Sequence, residues 1–276
     1  MNYAQLFTHY EEELEAVGED RENLLFVFRE LKEWNNLDFL LQQSQEVTQA
    51  DQELLAAIVD KLKKHQSPQY ITGKAYFRDL VLTVDERVLI PRPETEELVD
   101  LILAENSRAG LSILDIGTGS GAIAISLKQS QPGWRVSALD ISSDALVVAE
   151  QNAQVNHVDI DFLQSDVFSD VTDKFDIIVS NPPYISRSNK DEVGLNVLSS
   201  EPHLALFADD DGYAIYRKII EEAPAYLTEQ GKLYFEIGYK QGQMVAQMIT
   251  ANFPQKRVRV LQDTFGKDRM VVMDNG

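Results

Sequence analysis

Asn181-Pro182-Pro183-Tyr184 is the stretch of this 276-residue chain whose residue types bear most directly on chemistry. Two consecutive prolines fix φ and remove two backbone N–H donors. The Pro182 carbonyl need not serve a regular strand ladder and is available as an acceptor. Asn181 Oδ1 is a second acceptor, and Tyr184 adds a flat ring with a polar tip. Two neutral acceptors beside a ring suit the grip of an NH2 group on a flat conjugated system. Such groups are the side-chain amide of Gln or Asn and the exocyclic amine of adenine or cytosine. The same four residues also fit a proline-terminated strand with a structural Asn turn, so the rest of the chain has to decide.

A second candidate lies upstream. Leu114-Asp115-Ile116-Gly117-Thr118-Gly119-Ser120-Gly121 sets a glycine-rich turn directly after an apolar strand. Glycines there let the backbone pass close to a ligand and let the next helix pack on the sheet. Gly117-x-Gly119-x-x-Ala122 also fits the dinucleotide fingerprint. Asp140, followed by Ile141, ends the next strand where a carboxylate can take both ribose hydroxyls. At this level the signal reads as an adenosine-containing cofactor, with NAD and S-adenosylmethionine both open. Asp115 could hold the cationic amino group of a methionine moiety, directly or through water; NAD has no such group. Asp166 follows the third strand, placed to accept from the adenine amine with Val167 against the base, although a surface turn fits Asp166 as well. Taken with Asn181, the set favours S-adenosylmethionine, with S-adenosylhomocysteine as product. The expected cofactor residues are therefore Asp115, Gly117, Thr118, Gly119, Ser120, Gly121, Asp140, Ile141, Asp166, Val167 and Asn181. The expected methyl-acceptor site is Asn181, Pro182, Pro183 and Tyr184, with Asn181, Pro182 and Tyr184 acting in the transfer.

The elements that must position these residues follow from periodicity. Residues 1–74 keep helical spacing: Leu24, Leu25, Phe28 and Leu31 form one stripe, Leu54, Leu55, Ile58, Val59 and Leu62 another, with Thr48 to Asp51 in capping-box form. Leu37, Phe39, Leu40 and Leu41 suggest a further short helix. A small all-α bundle is expected, and substrate docking is its expected role. Residues 75–90 are strand-like pieces (Tyr76-Phe77, Leu80 to Val84, Val88 to Ile90) that predict a hairpin linker. Residues 91–276 open with a helix from Glu94 and then alternate strand and helix, which implies a mainly parallel sheet covered on both faces. The last two strands are joined by Gln262 to Asp268 alone, too short for a crossover helix, so they are expected to be antiparallel. A mostly parallel seven-stranded sheet with one antiparallel strand is the Rossmann-like, class I S-adenosylmethionine-dependent methyltransferase variant of the α/β class.

Composition limits the partners. A net charge of −20 repels phosphate backbones, so no direct nucleic-acid partner is expected. There is no cysteine, and His9, His65, His157 and His203 lie in no metal-ligand spacing, so no metal is expected. No apolar run reaches membrane-span length and the first residues lack a secretory pattern, so a cytoplasmic protein, and a monomer, are expected.

Leu114 to Gly121 together with Ser180 to Ile185 resembles the S-adenosylmethionine-dependent N-methyltransferases that act on planar NH2 groups. Ile90-Pro91-Arg92-Pro93-Glu94-Thr95-Glu96, Gln69-Tyr70-Ile71-Thr72-Gly73, Glu201-Pro202-His203-Leu204-Ala205-Leu206, Tyr216-Arg217, Glu236-Ile237-Gly238 and Gly266-Lys267-Asp268-Arg269 narrow this. The series is similar to the peptide chain release factor glutamine methyltransferase family over nearly the whole chain. That resemblance implies methyl transfer to the side-chain amide of the glutamine in the Gly-Gly-Gln motif of class 1 release factors. Asp209-Asp210-Asp211-Gly212-Tyr213 and Val167 depart from the family pattern. A DNA adenine methyltransferase, an NAD oxidoreductase and a non-catalytic interaction protein on this fold are the rival readings, and adenine-N(6) of DNA or RNA or a ribosomal-protein glutamine is the alternative acceptor. The acidity opposes the first, the lack of an evident hydride-accepting site the second, and the intact site residues the third.

Overall fold

The computed structural model describes residues 1–276, the side chain of Glu192 excepted. They group into two compact units: Met1–Lys74 with Val193–Glu201, and Ala75–Glu192 with Pro202–Gly276.

The smaller unit is helical: α1 (Tyr3–Glu15), α2 (Glu22–Lys32), α3 (Asn36–Gln42), α4 (Gln49–Leu62) and α5 (Pro68–Thr72). Asn2 and Gln5 form a capping box at the start of α1, and Thr48 Oγ1 accepts from the Asp51 amide at 3.2 Å to open α4. Leu24 and Phe28 of α2 meet Leu55, Ile58 and Leu62 of α4 in a buried core. Leu37, Leu40 and Leu41 of α3 are exposed, and of that expected group only Phe39 packs against the core. Residues 193–201 return to this unit from far along the sequence. There Asn196 Nδ2 donates to Glu19 Oε1 at 3.1 Å, and Ser199 Oγ donates to the His65 carbonyl at 3.0 Å. Nothing in the local pattern of 193–201 marked that excursion.

In the larger unit, β1 (Lys74–Phe77) and β2 (Leu80–Thr83) form the hairpin. It is more than a linker: Phe77, Leu80 and Leu82 are buried in this unit's core. The third expected piece, Val88 to Ile90, is loop. The chain continues through α6 (Pro93–Glu105), β3 (Ser112–Ile116), α7 (Ala122–Ser130), β4 (Arg135–Asp140), α8 (Ser143–Val155), β5 (Asp161–Gln164), β6 (Phe175–Ser180) and β7 (Ile185–Ser186). Next come α9 (Leu195–Ser200), which belongs to the helical unit, α10 (His203–Leu206), β8 (Phe207–Ala208), α11 (Ala214–Tyr226), β9 (Leu227–Glu236), α12 (Gly242–Asn252), β10 (Arg257–Gln262) and β11 (Asp268–Asp274).

The main sheet has the order β10-β11-β9-β6-β3-β4-β5. Its strands are parallel except β11, which runs antiparallel to both β9 and β10. Side chains alternate across it as a strand requires. Ile177 and Val179 join Leu98 and Ile102 of α6 on one face, while Ile178 joins Ile219 of α11 and Val245 of α12 on the other. Each such burial contributes roughly 1.5–3 kcal/mol. The chain reverses its direction of travel across the sheet at β3, which lies between β4 and β6. In open α/β sheets the ligand crevice opens beyond the carboxyl ends of the strands at that point. The glycine loop follows β3, and Asn181 follows β6. Among the described residues no helix is long and apolar enough to cross a membrane.

Candidate active site

One cavity opens at this switch point, lined wholly by the larger unit. The loop after β3 forms its floor. Gly117 N and Thr118 N both donate to the Leu139 carbonyl at 2.9 Å, which ties the loop to the end of β4. Gly121 has φ +84°, and a Cβ there would stand 2.9 Å from Ile125 Cδ1 and 3.3 Å from Ala149 Cβ. Only glycine lets the loop turn into α7 this close to α8. From α8 the fully buried Asn152 side chain reaches both ways. Its Nδ2 donates to the Ser120 carbonyl at 2.9 Å and the Thr83 carbonyl at 3.0 Å, and its Oδ1 accepts from Thr83 N at 2.7 Å. The hairpin is thereby fastened to the loop that carries the site.

Asp140 lies at the cavity wall. Its Oδ2 accepts from Gly119 N at 3.0 Å and its Oδ1 from Ser142 N at 2.9 Å. Burial raises its pKa, and the Ser142, Gly119 and Ile141 amides oppose that rise. Each oxygen keeps a lone pair for a further donor. Ile141, Asp166 and Val167 also line the cavity. Val167 adopts φ +56°, a strained conformation for a β-branched side chain. It is held there by Ser165, whose Oγ donates to the Val167 carbonyl at 2.8 Å. Asp166 is paired with Lys218 Nζ at 2.8 Å.

Asp115 is placed differently from Asp140. It is fully buried and does not line the cavity. Its Oδ2 accepts from Thr118 Oγ1 at 2.7 Å, and its Oδ1 makes no well-formed hydrogen bond, although the Ala124 amide bears on the carboxylate. Burial pushes its pKa up to about 7.

On the other side of β3, Ser180 Oγ donates to the Ile116 carbonyl at 2.7 Å and locks the end of β6 to β3. Asn181, Pro182 and Pro183 then line the same cavity as Gly117 to Ser120. Asn181 Nδ2 donates to Thr95 Oγ1 at 3.2 Å, and Thr95 Oγ1 donates to Glu236 Oε2 at 2.6 Å. Glu236, at the end of β9, is buried and held up at about 7 by that burial, against the hydrogen bonds of Thr95 and Asn181 and the charge of Arg269. Tyr184 does not line the cavity. Its ring faces Gly238, where an added Cβ would come within 3.2 Å of it, and burial together with the Glu236 charge pushes its hydroxyl up to about 12. The Tyr184 carbonyl accepts from Gln241 Nε2 at 3.1 Å and crowds Gly212, where a Cβ would lie 2.2 Å from that oxygen.

Of the residues expected from the sequence, the structure brings Gly117, Thr118, Gly119, Ser120, Asp140, Ile141, Asp166, Val167, Asn181, Pro182 and Pro183 to one cavity. Asp115, Gly121 and Tyr184 stand behind its walls. Asn152 and Glu236 were missed as site residues. Asn152 sits inside a helical stripe and carries no signal of its own. Thr95 and Glu236 fall within the Pro91–Glu96 and Glu236–Gly238 runs, where only their company in the resemblance marked them.

Comparison with known proteins agrees with this geometry. The chain is 55% identical to the release factor glutamine methyltransferase of Streptococcus pneumoniae, over 100% of this chain and 99% of that one. It belongs to the release factor glutamine methyltransferase family. The corresponding protein of Lactococcus lactis is 53% identical over 94% of this chain and 96% of its own. The Methyltransferase small domain matches residues 95–205 and the PrmC N-terminal domain residues 5–73. Among solved structures, a ribosomal protein L11 methylase from Lactobacillus delbrueckii subsp. bulgaricus superposes with a TM-score of 0.50 at 25% identity, covering 67% of this chain and 80% of that one. The chain is thus an enzyme of the S-adenosylmethionine-dependent methyltransferase class, with the class I fold and a helical N-terminal unit.

Proposed function

We propose that this enzyme methylates the side-chain amide nitrogen of the Gly-Gly-Gln glutamine in class 1 peptide chain release factors. The reading is supported chiefly by one juxtaposition: the two neutral acceptors of Asn181 and Pro182 share a cavity with the glycine loop and Asp140, in a chain of this family. The cavity residues suit the cofactor. Asp140 has acceptor capacity for two ribose hydroxyls, and Oδ1 of Asp115, which makes no well-formed hydrogen bond, is the acceptor that a cationic amino group would satisfy, directly or through water. Asp166 and Val167 take the adenine.

S-adenosylmethionine supplies a methyl group on a sulfonium. Asn181 Oδ1 and the Pro182 carbonyl each accept one N–H of the substrate amide, which is a poor nucleophile because its lone pair is delocalised. They orient the nitrogen toward the methyl group, and orientation of this kind supplies several kcal/mol. As positive charge develops on nitrogen, both acceptors bind more strongly than in the ground state. The methylated nitrogen is then acidic and sheds its second proton without a dedicated base. Pro183 holds the backbone of the acceptor pair, and Tyr184 is an uncharged wall behind it. The helical unit docks the release factor away from the glutamine. The enzyme works as a cytoplasmic monomer without a nucleic-acid partner, in keeping with its charge of −20.

Methyl transfer from labelled S-adenosylmethionine to a purified class 1 release factor tests this, alongside a factor with the glutamine replaced and a DNA duplex. The expected result is one added methyl at that glutamine only. Label on DNA or on another protein overturns the substrate. Asn181→Ala should lower turnover by about 10²–10³-fold while cofactor affinity, read by calorimetry, changes little; equal loss of both would contradict the assigned role.

A further inference from the structure

A primary amide has two ends of nearly equal shape and opposite hydrogen-bonding character. Asn181 serves as an acceptor only if its oxygen, and not its NH2, faces the crevice. Nothing in Asn-Pro-Pro-Tyr itself enforces that choice. The structure assigns it to residues far away in sequence: we infer that Thr95 and Glu236 are positioning residues that fix the Asn181 amide with its oxygen toward the substrate. The inference rests on the methyl-transfer reading above.

The argument is one of donors and acceptors. A carboxylate accepts only. Glu236 Oε2 takes the Thr95 hydroxyl proton over 2.6 Å, so Thr95 Oγ1 retains only acceptor capacity toward its other neighbour. That neighbour is Asn181, at 3.2 Å, and the group it presents is its NH2. Asn181 also lowers the Glu236 pKa directly by hydrogen bonding, which again requires an N–H on that side. The three residues come from the first turn of α6, the end of β6 and the end of β9, and Glu236 bears on the amide both through Thr95 and by its own bond to Asn181. If Glu236 takes up a proton, its hydroxyl can donate to Thr95, Thr95 can then donate onward, and the preference reverses so that Asn181 turns its oxygen inward. The other groups bearing on Glu236 are the Arg269 guanidinium from β11, the Glu94 carboxylate from α6 and the Tyr184 and Tyr216 hydroxyls; the Tyr216 hydroxyl donates to the Glu236 main-chain carbonyl at 2.7 Å. None of the four replaces the Thr95 link.

The test uses the full-length enzyme and release factor at saturating S-adenosylmethionine, with kcat, both KM values and thermal melting measured from pH 5.5 to 9. Thr95→Val should lower kcat at least about tenfold, the worth of one polar contact of this kind, with the cofactor KM within about threefold and melting near wild type. Thr95→Ser, which keeps the hydroxyl, should restore kcat. Wild-type kcat should fall on the acid side as Glu236 is protonated. Glu236→Gln should lose that acid limb and sit at a lower, level rate, because a glutamine can present either end to Thr95. Wild-type kcat in Thr95→Val, equal impairment of the Val and Ser variants, or an acid limb that persists in Glu236→Gln would overturn the inference. Absence of label on the release factor with the wild-type enzyme would instead overturn the reading on which it rests.

Discussion

The two halves of the crevice each contain a buried carboxylate held at about 7, and the two are wired differently. Asp115, under the cofactor loop, accepts one hydroxyl and leaves Oδ1 without a well-formed hydrogen bond. Glu236, behind Asn181, has its hydrogen bonding taken up by Thr95 and Asn181. A buried acid with a vacant acceptor has something to gain from a ligand; one whose partners belong to the protein acts on those partners. On the proposed function, Asp115 then bears on affinity and Glu236 on turnover. The halves also differ in construction. The cofactor side is held by backbone amides of the glycine loop bonded to Leu139 and Asp140 and by the Asn152 side chain behind them, whereas the amide side depends on side chains at 95, 181 and 236 and on a close backbone approach at Gly212.

That close approach offers the largest single break. Gly212→Ala would set a Cβ 2.2 Å from the Tyr184 carbonyl, in a residue at φ +90°. Backbone cannot yield there without moving Tyr184, and Asn181 to Pro183 move with it. Misplacement of about 1 Å costs on the order of 10²-fold in rate. We expect that loss in kcat, with S-adenosylmethionine affinity, read by calorimetry, close to wild type. A matching loss of affinity would show that the two halves are not separable.

Asp140→Ala attacks the other half. It removes the partner of the Gly119 and Ser142 amides along with the proposed ribose acceptors. Unmade bonds of this kind cost about 1–3 kcal/mol, so S-adenosylmethionine should bind roughly 10–100-fold more weakly. Turnover at saturating cofactor should stay within a few-fold of wild type. A collapse of turnover at saturation would move Asp140 across the divide.

The same contrast explains which parts were legible in the sequence. Gly117 to Gly121, Asp140 and Asn181 to Pro183 each sit directly at the end of an apolar strand, and parallel strands bring their carboxyl ends to one edge. Reading the strands was therefore enough to assemble them, and the short 262–268 connection was enough to make β11 antiparallel. Tertiary facts were not local. Residues 193–201 leave the methyltransferase unit because Glu19 and His65 bond them elsewhere. Val88 to Ile90 has strand composition, yet it forms loop, with Val88 and Leu89 at the cavity wall. Asp115 adjoins the glycines in sequence, and its burial behind the cavity wall and its bond to Thr118 emerge only in the folded chain. Thr95 and Glu236 lie 141 residues apart and meet only in the folded chain.

The smallest effect separates the two acids most cleanly. Asp115 is raised to about 7 by burial, so below that pH it carries a proton in the free enzyme. A cationic amino group near Oδ1 favours the charged form, so binding should release a proton there. The sign follows: S-adenosylmethionine affinity should strengthen as pH rises from 6 toward 7 and level off above it, by no more than about tenfold per pH unit. Calorimetry in buffers of different ionisation heat should register the released proton at pH 6 and none at pH 8.5. Asp115→Asn should flatten the affinity profile and leave the acid limb of kcat, which belongs to Glu236, in place. If the affinity profile of Asp115→Asn still bends near neutrality, the vacant oxygen is not the one that receives the cofactor's charge.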